Sequence, residues 1–384
     1  MNFEFATATQ IVFGPGSAAR IPELVSGTAS RVFLVTGSGR DRYSAFAESL
    51  RESGCAVEWY SVAHEPDTGT VSEALEAARK QNAEAVVAIG GGSVLDTGKV
   101  VSALLTNKGD LHDYLEVVGK GQKIENRAAP FLACPTTAGT GTEVTRNAVI
   151  SVPQHRVKVS VRSPLMLPRY ALVDPELTHT SPPAITAASG LDALTQLIES
   201  YTGIKANPLT DGICREGMMR AGRSLRTAYL QPDNRGARED MAIAALFSGL
   251  GLANAKLGGV HGFAGPLGGL LGAPHGALCA RLLAPVTQAN LNALSSREPQ
   301  SESLSRYDDA ARLVTGNREA GARELLEWIQ ETTRLLEIPS LSELGLTREI
   351  IPEAVEKSKR ASSMKGNAIE LGEAELSDIL ETAL

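Results

Sequence analysis

The sequence predicts an α/β N-terminal domain with a parallel sheet, followed by an all-α C-terminal domain. Short apolar strands alternate with helical segments in the first part of the chain, and long helical periodicity replaces them in the second. Prolines are concentrated between the two parts. The length of 384 residues also exceeds what a single hydrophobic core usually serves. We therefore expect domains at residues 1–180 and 181–384.

Three apolar, β-branched runs predict buried strands at residues 31–36, 57–62 and 85–89. Residues 43–53 and 71–82 have helical spacing and lie between these strands. The alternation of strand and helix is typical of a parallel sheet with helices on both faces. Such sheets bind ligands at the carboxyl ends of their strands.

Helical periodicity dominates the chain from about Ser181 onward, where β-branched runs are few. Helices are predicted at residues 191–201, 210–226, 238–256, 277–291 and 323–336. Two of the prolines that punctuate the transition, Pro182 and Pro183, are adjacent. We therefore place the domain boundary near residue 180.

Composition disfavours several classes of protein. A net charge of −7 provides no positive field for nucleic acid. The four cysteines contain no C-x-x-C pair, which favours a reduced, cytoplasmic protein over a disulfide scaffold. The N-terminus lacks the features of a signal peptide, and no apolar run approaches the roughly 20 residues of a membrane helix. We expect no nucleic-acid or membrane partner.

A glycine-rich turn, Gly90-Gly91-Gly92-Ser93, follows the third predicted strand and opens a helix. Glycines let a backbone approach a phosphate closely, and a helix N-terminus attracts anions. Ser93 is suited to cap this helix, and Asp96 is placed to bond back to the turn. The pattern favours diphosphate binding over the alternative, which is a tight turn without a ligand.

A second polar segment, residues 134–145, combines small residues with several threonines. Such a loop is able to wrap a ligand and donate hydrogen bonds, although this composition is also typical of an ordinary surface loop. The sequence alone leaves both interpretations open.

A third set consists of Asp192, Gln196, His261 and His275. Asp192 and Gln196 are four residues apart and share a helical face. His275 begins a predicted helix, whose dipole favours the neutral imidazole that metals require. One carboxylate and two imidazoles suit Fe²⁺ or Zn²⁺. The alternative, which spacing alone favours, is a solvated helix face and two histidines that serve only the core.

These motifs, taken in order, resemble the iron-containing alcohol dehydrogenase family, whose fold is similar to that of dehydroquinate synthase. The resemblance covers most of the chain. It rests on the glycine-rich turn with Asp96 and Lys99, Pro135 to Gly141, Asp174-Pro175 with Leu177-Thr178, Gly190 to Leu194, and the segment from His261 to His275.

The resemblance implies an NAD(P)-dependent alcohol dehydrogenase or aldehyde reductase, with its active site between the two domains. Hydride would pass between nicotinamide and a metal-polarised alcohol or carbonyl of a small molecule. The implied cofactor residues are Gly91, Gly92, Ser93 and Asp96 at the diphosphate, Thr136, Thr137 and Thr140 at the nicotinamide, and Lys158 nearby. The implied metal ligands are Asp192, His261 and His275. A homo-oligomer is also expected.

Three departures from the family pattern qualify this expectation. Gln196 stands where the family has a metal-binding histidine, which predicts weak or absent metal. Gly265 stands where the family has a second histidine thought to relay protons, so no proton donor is assigned. Gly37 replaces the acidic residue of many NAD-preferring members. With Ser38 and Arg40 beside it, this substitution favours use of NADP(H).

Other functions are open at this stage. A metal-independent reductase, similar to maleylacetate reductase, explains Gln196 directly. A lyase of the dehydroquinate synthase type shares the fold, but the segment around residues 261–276 lacks the basic residues that a phosphate-bearing substrate requires. A cofactor-binding protein without catalysis is compatible with both Gln196 and Gly265.

Overall fold

A six-stranded parallel sheet organises the N-terminal part of the chain in the computed structural model, which describes residues 2–384. The strands of the chain are β1 (Gln10–Phe13), β2 (Arg31–Gly37), β3 (Ala56–Val62), β4 (Ala85–Gly90), β5 (Phe131–Pro135), β6 (Asn147–Val152), β7 (Val157–Arg162) and β8 (Tyr170–Val173). The sheet order is β1-β8-β5-β4-β2-β3, with every pairing parallel. Strands β6 and β7 form a separate antiparallel hairpin.

Helices cover both faces of this sheet, as its sequence pattern requires. They are α1 (Ile21–Ser26), α2 (Ser44–Glu52), α3 (Thr68–Lys80), α4 (Gly92–Thr106) and the single turn α5 (Leu111–Tyr114). Alternate residues of β2 enter different cores: Phe33 and Val35 pack on one side, Val32 and Leu34 on the other. The strands are continuous apolar runs because a parallel sheet is buried on both faces.

The strand register brings the predicted cofactor segments to one edge of the sheet. Thr36 of β2 lies opposite Ile89 of β4, and Gly90 lies opposite Pro135 of β5. The loops that follow β2, β4 and β5 therefore leave the sheet side by side, at the carboxyl ends of the strands. This is the edge at which open α/β sheets bind their ligands.

The second part of the chain is helical, as predicted. Its helices are α6 (Pro183–Thr202), α7 (Pro208–Leu230), α8 (Arg235–Asn254), α9 (Gly259–Leu271), α10 (His275–Arg297), α11 (Glu302–Thr315), α12 (Ala322–Leu335), α13 (Ile351–Arg360) and α14 (Glu373–Ala383). Their apolar faces share one core. The five helices predicted in this region are all present.

Helix α9 was not predicted, because its many glycines are poor helix formers. Close packing accounts for two of them. A Cβ added at Gly262 would lie 2.7 Å from Met364, and one at Gly259 would lie 2.9 Å from Val286. Tertiary packing therefore overrides local propensity and carries His261 into the interior on this helix.

The chain divides into two compact units. One comprises Ala6–Thr137 and Gly141–Thr178, and the other comprises His179–Leu384, Ala138–Thr140 and the described residues before Ala6. Within residues 2–384, no single helix is long and apolar enough to cross a membrane. Helices α8 and α9 pass that test only as a pair bent by 94°.

Candidate metal centre and cofactor-binding edge

Helix α6 carries three polar side chains on one buried face. Asp192, Gln196 and Glu199 follow at spacings of four and three residues, which places them on the same side of the helix. They are only 1%, 2% and 6% exposed. The interpretation of this face as solvated is therefore wrong. Buried polar groups require partners, and the two carboxylates find theirs in histidine.

His261 lies between these two carboxylates. Its Nδ1 is 2.7 Å from Glu199 Oε2, and its Nε2 is 3.2 Å from Asp192 Oδ1. The second oxygen of Glu199 accepts the backbone N–H of Val260 at 2.6 Å. Glu199 thus fixes the imidazole and directs Nε2 toward Asp192. An outer-shell carboxylate orients a metal-bound histidine in the same way.

Helix α10 adds two further donors to this cluster. His275 is its first residue, and its Nε2 lies 4.0 Å from Asp192 Oδ1. Cys279 follows one helical turn later, with Sγ 3.6 Å from Nε2 of His261 and 3.6 Å from Nε2 of His275. The donor atoms of Asp192, His261, His275 and Cys279 all lie within 4.8 Å of one another.

The charges of the cluster favour a cation at its centre. Burial alone would lower the pKa of His261, but Cys279, Glu199 and Asp192 outweigh burial and raise that pKa well above its usual range. Burial would raise the pKa of Asp192, but His261 and His275 hold it below its usual range. Two buried carboxylates therefore face imidazoles, and a divalent metal is able to balance their charge.

The donor set fits a divalent metal. Carboxylate, imidazole and thiolate are all ligands of Zn²⁺, and the first two also suit Fe²⁺. The side-chain oxygen of Gln196 is buried and has no hydrogen-bond partner among the described residues. Leaving such a group unpaired costs about 1–3 kcal/mol. A bound metal or a polar substrate group near this face would relieve that cost.

Sequence reasoning missed both Glu199 and Cys279, although the signal was present. Glu199 is seven residues after Asp192, and Cys279 is four residues after His275. Both spacings return to the same face of a helix. The same spacing rule that pairs Asp192 with Gln196 points to Glu199 on α6 and, from His275, to Cys279 on α10.

Gly265, the position of the expected relay histidine, faces open space. A Cβ added there meets nothing within 4 Å. The chain therefore has room for a side chain at this point of α9 but supplies none. No proton-transferring group is available from this position.

The glycine-rich turn forms the start of α4, as predicted, but two details differ. The N-cap is Gly91, without a side-chain hydrogen bond, and Ser93 is already inside the helix. The expected capping role of Ser93 is therefore wrong. Asp96 does not bond back to the turn, because its Oδ2 accepts the backbone N–H of Val149 in β6 at 3.0 Å. The helix thus begins at Gly92 without a side-chain cap.

The threonine loop begins beside this turn. The Thr136 N–H donates to the Gly90 carbonyl at 2.9 Å, and a Cβ on Gly91 would lie 3.5 Å from the Thr137 side chain. The first two predicted threonines therefore adjoin the glycine-rich turn. Thr140 belongs to the short segment assigned to the helical unit, where Gly139 accepts a hydrogen bond from Ser248 at 3.2 Å.

Arg40 lies just beyond the end of β2. Its guanidinium stacks 5.0 Å from the centre of the Trp59 ring and donates to the Trp59 carbonyl at 3.3 Å. Ser38 is exposed. A Cβ added to Gly37 would lie 3.2 Å from the Tyr43 hydroxyl. A side chain at position 37 would therefore require Tyr43 to move, and the aromatic face of Trp59 holds Arg40 in place.

Lys158, on β7, forms an ion pair with Glu65. Its side chain is only 8% exposed. The carboxylate of Glu65 already compensates the ammonium charge of Lys158.

A second buried polar cluster ties the threonine loop to α4. The Lys99 ammonium is fully buried and donates to the carbonyls of Thr142 and Asn147 and to the Thr145 hydroxyl, at 2.7–2.8 Å. Burial raises the pKa of the neighbouring Glu143 to about 7 and lowers that of Lys99 to about 8. Lys99 therefore holds the end of this loop against the helix that follows the glycine-rich turn.

Known proteins share both halves of this architecture. The family model for iron-containing alcohol dehydrogenase matches residues 8–175, and the model for the C-terminal part of that family matches residues 186–384. A choline dehydrogenase of Bacillus subtilis is 31% identical over 374 residues, which cover 96% of this chain and 92% of that protein.

Two solved structures extend the comparison. That of a 1,3-propanediol oxidoreductase has a TM-score of 0.91 at 31% identity and covers 100% of both chains. That of sulfoacetaldehyde reductase from Bifidobacterium kashiwanohense, in complex with NAD⁺, has a TM-score of 0.86 at 28% identity. It covers 100% of this chain and 99% of the other.

The fold and the donor cluster define a two-part oxidoreductase with a sheet edge suited to a dinucleotide and a helical unit suited to a metal. The chain belongs to the iron-containing alcohol dehydrogenase family. It is accordingly an enzyme of the class that acts on CH–OH groups, as the resemblance implied.

Replacing Glu143 with Gln should reduce the loss of stability between pH 6 and pH 8. Burial raises the folded-state pKa of Glu143 to about 7, above the ordinary glutamate value of 4.5. Its stabilising contribution is therefore complete below the unfolded pKa and is lost as pH rises through about 7. Denaturant unfolding at both pH values should show that the wild type loses about 1 kcal/mol more than Glu143→Gln.

The exposed Glu48 provides the control for this measurement. Glu48→Gln should retain the wild-type pH dependence. The same dependence in Glu143→Gln and wild type would show that Glu143 does not titrate in this range.

Proposed function

We propose that the chain interconverts small alcohols and the corresponding carbonyl compounds with NAD(P)(H), and that Asp192, His261 and His275 hold a divalent metal for this reaction. The observation that carries the proposal is the convergence of these three side chains in one buried cluster. The proposed metal is Fe²⁺ or Zn²⁺. Gln196, on the same face of α6, offers a neutral oxygen to the metal or to the substrate.

The side chains of the cluster have separate roles in this proposal. Asp192, His261 and His275 would hold a metal that, when bound, would supply polarisation of the substrate oxygen, and a bound nicotinamide would supply the hydride acceptor or donor. Asp192 supplies the negative charge that balances the cation. Glu199 orients His261 through its 2.7 Å contact with Nδ1. Gly265 bears no group that transfers protons, so the proton comes from elsewhere.

We further propose that the cofactor lies along the carboxyl edge of the sheet. Gly91, Gly92 and the N-terminus of α4 would bind the diphosphate through backbone N–H groups, with Ser93 beside them. Asp96 would support this site indirectly, by accepting the backbone N–H of Val149 and so holding β6 in place. The nicotinamide end would contact Thr136, Thr137 and Thr140. Lys158, paired with Glu65, would contribute to the cofactor surface without a free charge.

The loop after β2 supports use of NADP(H) as well as NAD(H). Gly37 and Ser38 introduce no carboxylate that would repel a 2′-phosphate. Arg40 carries a guanidinium held in place by Trp59, which suits recognition of a phosphate.

Small polar alcohols or aldehydes are the proposed substrates. The relatives and structural neighbours described above are named for choline, 1,3-propanediol and sulfoacetaldehyde. The side chain of His275 is 35% exposed, and Gly265 leaves open space on α9. A homo-oligomer, a cytoplasmic location and the absence of nucleic-acid or membrane partners stay predictions.

A metal-independent reductase is the second candidate, because Gln196 stands where the family has an imidazole ligand. The two functions differ in their response to chelation. Metal analysis of the purified enzyme, followed by an NADH and NADPH screen over small aldehydes and ketones before and after chelation, separates them. Loss of turnover on chelation, with recovery on adding metal, supports the metal-dependent function. Full activity without metal supports the alternative.

Replacement of either histidine should remove the metal and spare the cofactor site. His261→Ala and His275→Ala each delete one imidazole of the cluster, whereas the sheet edge lies in the other unit. Metal content should fall below stoichiometric after dialysis, and cofactor affinity should stay within about twofold of wild type. The exposed His155 supplies the control His155→Ala. Stoichiometric metal in both cluster variants would place the metal elsewhere.

Replacement of Arg40 should reduce the use of NADPH selectively. A hydrogen bond to a charged group contributes about 1.5–3 kcal/mol, so kcat/KM for NADPH should fall by roughly tenfold or more in Arg40→Ala, with little change for NADH. Arg42→Ala is the matched control, because Arg42 bonds instead to the Leu177 carbonyl at 2.8 Å. Equal losses for both cofactors in Arg40→Ala would contradict a role in reading the 2′-phosphate.

A further inference from the structure

Cys279 occupies an unusual position for a buried cysteine. Free cysteines in protein interiors ordinarily pack as small apolar residues. The sulfur of Cys279 is instead 3.6 Å from the Nε2 atoms of both His261 and His275. A thiol is only a weak donor and a weak acceptor, whereas a thiolate and two imidazoles are strong ligands of one metal ion.

Three of the four donor–donor distances given for this cluster match those of ligands around a tetrahedral metal, and the fourth is longer. Metal–sulfur and metal–nitrogen distances of about 2.3 and 2.0–2.1 Å, at tetrahedral angles, separate sulfur from nitrogen by about 3.6 Å. Both Cys279 distances are 3.6 Å. Oxygen and nitrogen ligands should lie about 3.3 Å apart. Asp192 Oδ1 is 3.2 Å from His261 Nε2 and 4.0 Å from His275 Nε2.

The position of Gln196 supplies an independent observation. Its buried side-chain oxygen has no hydrogen-bond partner within residues 2–384. It lies on α6 between Asp192 and Glu199, both of which contact His261. In the family pattern, position 196 of α6 carries a metal-binding histidine, but here it carries a neutral amide. One strong donor is therefore missing from α6. Cys279 supplies a donor from α10 instead.

We propose that Cys279 is the fourth protein ligand of the metal, bound as a thiolate, and that it makes the site selective for Zn²⁺ over Fe²⁺. The proposal rests on the metal-dependent function proposed above. Thiolate is a soft ligand and favours Zn²⁺, whereas a site of carboxylate and imidazole alone also accepts Fe²⁺. Coordination replaces the S–H bond with a sulfur–metal bond and releases the proton to solvent, with no change in oxidation state.

Cobalt substitution tests the proposal without relying on activity. Chelated full-length protein is titrated with Co²⁺, whose complexes with thiolate show a sulfur-to-cobalt charge-transfer band in the near ultraviolet. The band should appear in the wild type and be absent from Cys279→Ser and Cys279→Ala. Cys214→Ser is the matched control, because Cys214 is equally buried in the same helical unit but lies outside the donor cluster. It should keep the band.

Zinc affinity provides the second measurement. Competition with a chromophoric chelator should show that Cys279→Ser weakens Zn²⁺ binding by more than the roughly 10–100-fold typical of losing an outer-shell partner. The loss of Fe²⁺ affinity should be smaller. X-ray absorption of the zinc-loaded wild type should show a sulfur neighbour at about 2.3 Å. This measurement uses only the wild type, so it does not depend on a variant that folds.

The possible failures are distinguishable. The role of Cys279 would be overturned if cobalt binds with ligand-field bands but no charge-transfer band, and if zinc has only nitrogen and oxygen neighbours. The metal-dependent function would then stay intact. No binding of cobalt or zinc by the wild type would overturn both proposals.

Discussion

Two carboxylates buried on one face of α6 are the constraint on which the helical unit depends. Asp192 and Glu199 are almost completely removed from water, and an isolated buried carboxylate is costly. His261 meets both of them because the glycine-rich α9 packs closely enough to bring its ring into the interior. The start of α10 completes the enclosure with His275 and Cys279. The helices are thus arranged around two buried carboxylates and the imidazoles that meet them, which links the packing of this unit to the metal site proposed for it.

The cofactor site proposed for the sheet unit faces a different problem, the binding of a large anion without a large positive charge. This edge is formed mostly by backbone groups. The register of β2, β4 and β5 aligns three loops, and α4 begins at a glycine without a side-chain cap. Buried side chains then hold this backbone in place. Lys99 secures the threonine loop through three hydrogen bonds, and Asp96 secures β6. Lys99 and Asp96 therefore shape the proposed binding edge through buried contacts with the backbone.

The sequence predicted the parts of the structure whose signals are local. The strands at residues 31–36, 57–62 and 85–89 and the five C-terminal helices carry strong periodicity, and the glycine-rich turn has a distinctive composition. Helix α9 escaped prediction because its stability comes from tertiary contacts of its glycines. The predicted capping role of Ser93 was wrong because the N-cap of the helix lies two residues earlier, at Gly91. The predicted turn bond of Asp96 was wrong because its carboxylate accepts a hydrogen bond from β6 instead. Glu199 and Cys279 belong to the cluster through contacts between helices that are distant in sequence. Spacing within one helix shows only that Glu199 shares a face with Asp192, and Cys279 with His275.

Anomalous diffraction from crystals grown with Zn²⁺, recorded at the zinc absorption edge, tests most directly whether the cluster on α6, α9 and α10 is a metal site. The account predicts one strong peak among Asp192 Oδ1, the Nε2 atoms of His261 and His275, and Cys279 Sγ, with a sulfur distance of about 2.3 Å. A map with no peak at these atoms would contradict the account, provided that the same protein still turns over an aldehyde after chelation.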